Sequence, residues 1–237
     1  MTGRLDGRIA VVTGASRGIG AAVAKRFARE GAHLVLIART QGGLEEVDDA
    51  VRTEGGSAAT LVPLDLRDFE ALDRLGAALH ERHGKLDVLV GNAGILGPLS
   101  PVGHIEPDSW QQVMDVNLTA NWRLIRSLDP LLRQSDAGRA IFVSSGVAGF
   151  AKPYWGAYAA SKAALEMMVK VYAAEVERIT PVRANILDPG VVRTAMRAEA
   201  FPGEDPMSLP HPDDIADIFL DLADPACTRT GEVVRAS

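Results

Sequence analysis

The chain has 237 residues, the usual size of a single α/β domain. Apolar residues make up 47% and charged residues 24% of it, a balance that excludes a disordered or fibrous protein. The net charge of −6 has the wrong sign for binding nucleic acid or anionic lipid, and no apolar run approaches the roughly 20 residues that a bilayer crossing requires. The single cysteine, Cys227, permits no intramolecular disulfide and no cysteine-rich zinc site. We therefore expect a cytoplasmic protein with no membrane and no nucleic-acid partner.

Short apolar runs rich in β-branched residues alternate along the chain with longer segments of helical period. The predicted strands are residues 9–12, 33–38, 58–62, 88–90, 140–143, 184–187 and 232–235. Such alternation is typical of strands joined by helical crossovers, which cover a parallel sheet on both faces. The sequence therefore predicts an α/β fold: a single doubly wound Rossmann-type domain over residues 1–237, with a seven-stranded, mainly parallel sheet.

Two later segments depart from this simple alternation. Residues 158–179 carry apolar side chains at helical spacing, which predicts a long helix packed along one face. That stripe consists of Leu165, Met168, Val169, Tyr172 and Val176. Residues 189–212 contain five prolines, so this segment is not a simple helix. Its length is typical of a lid over a binding site.

A glycine-rich turn follows the first predicted strand. Residues 13–20 read TGASRGIG, and the segment after them has helical spacing. Glycines at such a turn let backbone N–H groups and a helix N-terminus approach a pyrophosphate. The spacing differs from the G-x-G-x-x-G fingerprint, and the Lys-Ser/Thr pair of a Walker loop is missing from the turn. The turn predicts a dinucleotide site, with a tight turn that binds no ligand as the alternative.

The residues after the second predicted strand indicate which dinucleotide would bind. An NAD site usually has an acid there for the ribose 2′-hydroxyl, but this chain has Arg39 followed by Thr40. A guanidinium at this point pairs with a 2′-phosphate, and Arg17 in the glycine turn offers a second positive group. We therefore expect NADP, and a solvated surface arginine is the alternative for Arg39. Asp65, after the third strand, is a candidate to accept a hydrogen bond from the adenine amino group, or else a turn or helix-capping residue.

Several polar residues predict a site for proton transfer. Tyr158 and Lys162 stand four residues apart at the start of the long predicted helix, so their side chains share one face. An ammonium group in a partly desolvated site, helped by a bound nicotinamide, would supply the roughly 4 kcal/mol that brings a phenol pKa from about 10 to about 7. Ser145 follows the fifth strand, residues 92–94 (Asn-Ala-Gly) follow the fourth, and Asn117 lies in a predicted helix. Taken singly, each of these residues has an ordinary packing or turn role as its alternative.

With these pieces in order along the chain, the sequence resembles a short-chain dehydrogenase/reductase of the compact, single-domain branch. The matching motifs are residues 13–20, Asp65, residues 92–94, Asn117, Ser145, Tyr158 with Lys162, and Pro189-Gly190 with Thr194. The resemblance implies that Tyr158 is the general acid and base and that Ser145 holds the substrate oxygen. It further implies that Lys162 also binds the nicotinamide ribose and that Asn117 holds a water linking Lys162 to solvent.

The resemblance also implies a set of cofactor-binding residues that spans most of the chain. This set is Gly14, Ser16, Arg17, Gly18, Ile19, Gly20, Arg39, Thr40, Asp65, Leu66, Asn92, Ala93, Gly94, Tyr158, Lys162, Pro189, Gly190, Val192 and Thr194.

The chain departs from the family pattern in three places. Gly91 replaces the asparagine that often opens the Asn-Asn-Ala-Gly turn, and Asp188 stands where an asparagine usually precedes Pro-Gly. We expect both to be peripheral to the chemistry. The glycine-rich tail that commonly follows the last strand is missing from the sequence, and in the family that region helps to form a subunit interface. We therefore expect a homodimer, with a homotetramer as the alternative.

The expected function is an NADP-dependent oxidoreductase that transfers hydride between NADP(H) and a secondary alcohol or ketone. The expected rim of the site is mainly apolar and aromatic: residues 95–96, 147–150 and 154–155, with Met196 and Phe201. A hydrophobic or aromatic carbonyl compound would suit it. No metal is expected, since His80 and His83 have no third ligand in view. The alternative function is a catalytically silent, dinucleotide-binding regulatory protein, which has no chemical need for the complete set of Asn117, Ser145, Tyr158 and Lys162.

Overall fold

A parallel sheet of seven strands forms the centre of the molecule in a computed structural model that describes residues 3–236. The strands are β1 (Ile9–Thr13), β2 (His33–Ala38), β3 (Thr60–Pro63), β4 (Val88–Gly91), β5 (Arg139–Val143), β6 (Arg183–Asp188) and β7 (Val233–Arg235). Their order across the sheet is β3-β2-β1-β4-β5-β6-β7, and every neighbouring pair is parallel. The doubly wound fold predicted from the sequence is confirmed.

Helices cover both faces of the sheet. They are α1 (Gly18–Arg29), α2 (Gln41–Thr53), α3 (Phe69–His83), α4 (Pro107–Met114), α5 (Ala120–Leu132), α6 (Gly156–Val176), α7 (Ala195–Ala200) and α8 (Ala216–Ala223). Successive side chains of a strand point to opposite faces, so Ala10 and Val12 pack with α1, α2 and α8, whereas Ile9 and Val11 pack with α3, α5 and α6. None of the helices between residues 3 and 236 is long and apolar enough to cross a membrane.

Element boundaries differ from the predicted ones where a side chain captures a backbone group. The third strand begins at Thr60 instead of residue 58, because the Asp48 carboxylate accepts a hydrogen bond of 2.6 Å from the Ala59 N–H. It continues to Pro63, which an edge strand tolerates because that position needs no ladder N–H. Helix α6 ends at Val176, where the Thr180 hydroxyl donates to the Val176 carbonyl.

The segment 189–212 contains one short helix, α7, framed by irregular backbone. The hydroxyl of Thr194 accepts a hydrogen bond of 3.2 Å from the Arg197 N–H and so caps the helix. One 3-10 turn, Pro206–Ser208, follows it, and a second, Pro212–Ile215, begins at the end of the segment. The prediction that this segment is not a simple helix is confirmed.

From β1 the chain adds β2 and β3 on one side, and from β4 it adds β5, β6 and β7 on the other side. The strand order therefore reverses between the adjacent strands β1 and β4. In open α/β sheets a crevice opens at such a reversal, outside the carboxyl ends of the strands. Of the residues predicted to carry the chemistry, Ser145 follows the end of β5, whereas Tyr158 and Lys162 lie in α6 and Asn117 lies between α4 and α5.

Candidate active site

A cleft of about 1100 Å³ runs along the carboxyl ends of the strands. Loops that follow β1 to β6 line it, so residues distant in sequence meet there. Its volume exceeds that of a pocket for one drug-sized molecule. Every residue of the predicted cofactor-binding set except Gly20 lines the cleft, and so do Ser145, Tyr158 and Lys162. Asn117 is fully buried and does not line the cleft.

The glycine turn after β1 is held in place by residues from β4. Gly14 and Gly18 have φ values of +63° and +57°, a region that side chains other than glycine rarely adopt. The Asn92 amide donates to the carbonyls of Thr13 and Gly14 at 2.9 and 3.3 Å. The Thr13 hydroxyl accepts from the N–H groups of Asn92 and Ala93 at 3.0 and 3.1 Å. The Asn92 amide nitrogen therefore shapes the turn, and a contact between Asn92 and a cofactor stays a prediction.

The N-terminus of α1 is suited to an anion. Its first turn contains no acidic residue, and no side chain caps it. No side chain therefore neutralises the partial positive charge that the free N–H groups and the helix dipole present to the cleft. Arg17 and Arg39 flank this end of the cleft, both are exposed, and within residues 3–236 neither forms an ion pair with a carboxylate. The residues fit a pyrophosphate at the helix and a further phosphate between the two arginines.

Asp65 has a turn role. Its carboxylate accepts from the Arg67 backbone N–H at 2.9 Å and pairs with the Arg67 guanidinium at 2.7 Å. The guanidinium of Arg67 lowers the pKa of Asp65. The turn alternative is therefore observed, and the contact with adenine stays a prediction.

Tyr158 and Ser145 lie next to each other in the lining of the cleft. Tyr158 lies in the first turn of α6 and is 7% exposed, whereas Ser145 directly follows Ser144 after β5. Burial raises the pKa of Tyr158 to about 12, with hydrogen bonding by the Ser145 hydroxyl opposing and the Asp188 charge adding to that shift. In the protein alone the phenol is therefore protonated at neutral pH, and the pKa near 7 expected for the complex with a nicotinamide is not reached.

Lys162 is buried one helical turn after Tyr158. Its ammonium Nζ donates to the Val143 carbonyl at 2.7 Å and lies 5.8 Å from the centre of the Tyr158 ring. Burial lowers the pKa of Lys162 to about 8. The i, i+4 spacing therefore brings the two side chains together as predicted, but the β5 carbonyl holds the ammonium group.

Asn117 lies in a single π-helical turn, Asp115–Thr119, between α4 and α5. Such wide turns occur most often at functional sites. The Asn117 amide accepts from the Ile95 N–H and donates to the Ile95 carbonyl, both at 2.9 Å. It also donates to the Ser161 hydroxyl at 3.0 Å, and that hydroxyl donates to the Tyr158 carbonyl at 2.7 Å. Asn117 therefore ties the loop after β4 to the helix that carries Tyr158 and Lys162.

Two residues of this network were missed in the sequence. Ser161 directly precedes Lys162, and a polar residue on the buried side of a helix is the signal that could have marked it. Asn121 is buried and donates from its amide to the Asn117 backbone carbonyl at 2.9 Å. A Cβ on Gly91 would be 2.5 Å from the Phe142 ring and 2.6 Å from the Asn121 Oδ1. The glycine at position 91 therefore leaves the space that both Phe142 and Asn121 occupy.

The second departure from the family pattern, Asp188, is not peripheral. It is 7% exposed at the end of β6, and its Oδ1 accepts from the Gly190 N–H at 3.1 Å. Its Oδ2 would lie 3.5 Å from a Cβ on Gly146, the residue after Ser145. The carboxylate is close enough to raise the pKa of Tyr158.

The predicted apolar rim assembles in part. Leu96, Val147 and Tyr158 form a buried cluster, against which Trp155 and Met196 pack. Phe150 and Tyr154 are mainly exposed, and Phe201 lies behind Trp155. No group of three possible metal ligands occurs within residues 3–236.

Comparisons with known proteins agree with this geometry. A model of the short chain dehydrogenase family matches residues 8–205. The Escherichia coli K12 oxidoreductase YciK, an uncharacterised protein, is 41% identical over 230 residues, which cover 96% of this chain and 90% of that protein. A short chain dehydrogenase from Escherichia coli CFT073, solved with NADPH, has a TM-score of 0.94 and 40% identity, covering 99% of this chain and 98% of that one. Another from Shigella flexneri 2a, solved with NADP, has a TM-score of 0.94 and 39% identity over 99% of each chain.

Proposed function

The chain belongs to the short-chain dehydrogenase family of oxidoreductases, and from this premise we propose that it transfers hydride between NADP(H) and a secondary alcohol or ketone. The observation that carries the proposal is a buried, protonated Tyr158 beside Ser145 in a cleft whose other end suits a phosphorylated dinucleotide. Tyr158, Ser145, Lys162 and Asn117 are the residues to which we assign the chemistry.

During reduction, residues of the chain bind and protonate the carbonyl oxygen of the substrate. The Ser145 hydroxyl donates a hydrogen bond to the carbonyl oxygen and holds it next to the Tyr158 phenol. Bound NADPH supplies a hydride, and with it the electron pair that forms the new C–H bond. Tyr158 transfers its phenolic proton to the oxygen as the C=O double bond becomes single, so the ketone gains one hydride and one proton. The reverse order oxidises the alcohol.

Lys162 and Asn117 restore the proton. The Lys162 ammonium stabilises the phenolate that remains on Tyr158, because opposite charges in a buried site attract strongly. With its pKa lowered to about 8, Lys162 is also able to pass on a proton near neutral pH. Asn117 holds the loop and the helix that frame this route, as its hydrogen bonds to Ile95 and Ser161 indicate.

NADP is the proposed cofactor because two positive groups stand where its extra phosphate would lie. Arg17 and Arg39 are exposed at that end of the cleft. A guanidinium pairs with a phosphate through parallel hydrogen bonds. Two similar proteins of known structure contain NADPH or NADP, which supports the same choice here.

The test of the function is the loss of NADPH absorbance when the purified protein is mixed with a panel of aliphatic and aryl ketones. We expect turnover of some of them, and Tyr158→Phe to lower kcat about 100- to 10,000-fold while NADPH binding stays nearly unchanged. A protein that binds NADPH but turns over no carbonyl in the panel would be a silent dinucleotide-binding protein. Turnover that survives Tyr158→Phe would disprove the assignment of the acid.

We also propose a homodimer. Exposed apolar side chains lie on the outer surfaces of α5 and α6, which pack on the same face of the sheet: Trp122, Met167 and Val171. Single exposed apolar residues are ordinary, but a group of them on one face favours a protein interface. Sedimentation equilibrium of the parent protein and of Met167→Glu tests this, and a parent monomer would contradict it.

A further inference from the structure

A stack of side chains joins α7 to the segment just before α6. The rings of Trp155 and Phe201 lie with their centres 5.9 Å apart. The ammonium of Lys152 lies 4.4 Å from the centre of the Trp155 ring and 4.3 Å from that of the Phe201 ring. Ring faces attract cations, so this lysine holds the two aromatic rings together.

The α7 end of the stack is braced by an ion pair. The Arg197 guanidinium carbon lies 3.7 Å from the centre of the Phe201 ring. The Arg197 Nε and Nη2 donate hydrogen bonds to the Glu204 Oε2 and Oε1 at 2.6 and 2.7 Å. A paired arginine presents its planar group in one fixed orientation. We call the set Lys152, Trp155, Arg197, Phe201 and Glu204 the aromatic latch.

The latch adjoins the proposed acid. The rings of Trp155 and Tyr158 meet edge to face, with their centres 5.9 Å apart. Trp155 and Met196 also pack on the buried cluster of Leu96, Val147 and Tyr158. Trp155 and Arg197 therefore line the cleft that contains Tyr158, whereas Lys152, Phe201 and Glu204 pack on them from outside the lining.

The Trp155 side of the latch is fixed by its backbone. Tyr154, just before it, has a φ of +73°, the only positive value among the non-glycine residues of the described part of the chain. A bulky residue rarely adopts this conformation, so the surrounding structure must hold it. The Tyr154 carbonyl accepts from the Ser100 N–H at 3.0 Å, and Trp155 forms an isolated bridge with Ser100. Trp155 is thus anchored to the loop after β4, whereas α7 is a short helix in an irregular segment.

We propose that Trp155, which lines the cleft, and Phe201, which stacks on Trp155 from outside the lining, determine the substrate specificity of the reaction by limiting the space beside Tyr158, so that compact carbonyl compounds with one aromatic ring react in preference to those with two fused rings. This inference rests on the proposed function. An apolar pocket discriminates against a substrate that exceeds it because the excess must displace packed side chains. Here a second ring would displace Trp155, and with it the Phe201 ring and the Lys152 ammonium that pack on it.

The experiment compares two aryl methyl ketones, acetophenone with one ring and 2-acetonaphthone with two, in the presence of NADPH. We expect the parent enzyme to have the higher kcat/KM with acetophenone. Phe201→Ala should change the ratio of the two kcat/KM values at least about tenfold in favour of 2-acetonaphthone. Lys152→Met should change it in the same direction, and Lys152→Arg should restore the parent ratio because it keeps the cation against the rings.

The matched control is Phe69→Ala. Phe69 is a half-buried ring that also contacts an arginine, with the Arg123 guanidinium carbon 4.6 Å from its centre, but it packs on the separate buried cluster formed with α3, α5 and α6. Phe69→Ala should leave the ratio unchanged. A second readout needs no activity: trypsin should cleave after Arg193 or Arg197 several-fold faster in Phe201→Ala than in the parent or in Phe69→Ala, because a released segment opens locally more often.

The possible failures are distinct. If the parent turns over no ketone at all, the proposed function fails and the specificity inference fails with it. If the parent is active but Phe201→Ala and Lys152→Met both leave the ratio within twofold of the parent value, the inference is wrong and the function stands. If Phe201→Ala does not fold, Lys152→Met, which replaces the ammonium group by an uncharged chain of similar length, decides by the same ratio. Unchanged trypsin cleavage in both variants would also overturn the inference, because the latch would then hold nothing.

Discussion

The side-chain amide of Asn121 donates a hydrogen bond of 2.9 Å to the backbone carbonyl of Asn117. This contact crosses the π-helical turn, where the regular pairing of helix carbonyls is interrupted. It links a residue that the sequence did not single out to one to which we assign a role in proton transfer.

Replacing Asn121 by leucine should therefore affect both stability and proton transfer. The variant removes the side-chain donor from the buried Asn117 carbonyl, which costs about 1–3 kcal/mol of the free energy of unfolding. We expect kcat to fall as well, because this contact no longer holds the π-helical turn that carries Asn117. Urea denaturation and steady-state kinetics measure the two effects. Asn121→Gln, which keeps the amide, should be less active than the parent but more active than the leucine variant; equal activity of all three would contradict the positioning role.

Removal of the buried ammonium group should stabilise the fold at neutral pH. Burial lowers the pKa of Lys162 to about 8, from an ordinary value of 10.5. The folded protein therefore binds this proton more weakly than the unfolded chain, so the group costs stability below pH 8, and the cost disappears as the pH rises towards 10.5. We expect Lys162→Met to raise the free energy of unfolding at pH 7 by up to about 3 kcal/mol.

Urea denaturation at pH 7 and at pH 10 checks this prediction. The difference between Lys162→Met and the parent should be much smaller at pH 10. Lys170→Met, on a more exposed part of the same helix, is the control and should show no such dependence on pH. If the Lys162 difference is equal at both pH values, burial of the charge is not its cause.

The charge of Asp188 should influence the pH profile of the reaction. Its carboxylate raises the pKa of Tyr158, so Asp188→Asn should lower that pKa. For alcohol oxidation, which needs the phenolate, the acidic limb of the kcat/KM profile should then move to lower pH. Arg235, whose Nε lies 3.8 Å from the Asp188 Oδ2, partly offsets the carboxylate. Arg235→Gln should move the limb the opposite way, and a profile unaffected by either change would show that Asp188 does not act on the phenol.

The cofactor preference should be invertible. A charge-assisted pair is worth about 1.5–3 kcal/mol, so the preference for NADPH over NADH should be about 10- to 150-fold in kcat/KM for each arginine contact. Ala38→Asp combined with Arg39→Ile removes a phosphate partner and offers a carboxylate to a ribose hydroxyl, so NADH should become the better cofactor. Arg67→Ile, which removes another cleft arginine that is already paired with Asp65, is the control. A parent enzyme that prefers NADH would make Arg39 an ordinary surface arginine.

Local signals in the sequence predicted most of the fold. The strands were found because buried parallel strands are continuous apolar runs, and the glycine turn because positive φ values restrict the residue type. The start of β3 was misplaced because it depends on Asp48, 11 positions earlier, which captures the Ala59 N–H. That carboxylate carries no pattern of its own.

The candidate site was predictable only as a set of pieces. Sequence spacing placed Tyr158 near Lys162, but it gave no sign that the Val143 carbonyl would bind the ammonium group. Asn121 packs against Gly91, and Phe201 stacks on Trp155. Both contacts join residues from separate elements, so neither produces a periodic pattern in the sequence. Burial, which dominates the pKa of Tyr158, is likewise a property of the whole fold.

The hydrogen bonds between Thr13 and Asn92 have a consequence for the order of folding. These residues are separated by 79 positions, so the glycine turn is complete only when β4 has docked beside β1. A nascent chain that ends after β3 contains all the glycines of the turn but not the clamp that shapes it. Pairing over such a separation forms slowly, because the loop must close before any contact rewards it. The dinucleotide site is therefore completed late in folding, and a fragment with only the first three strands should have no nucleotide affinity.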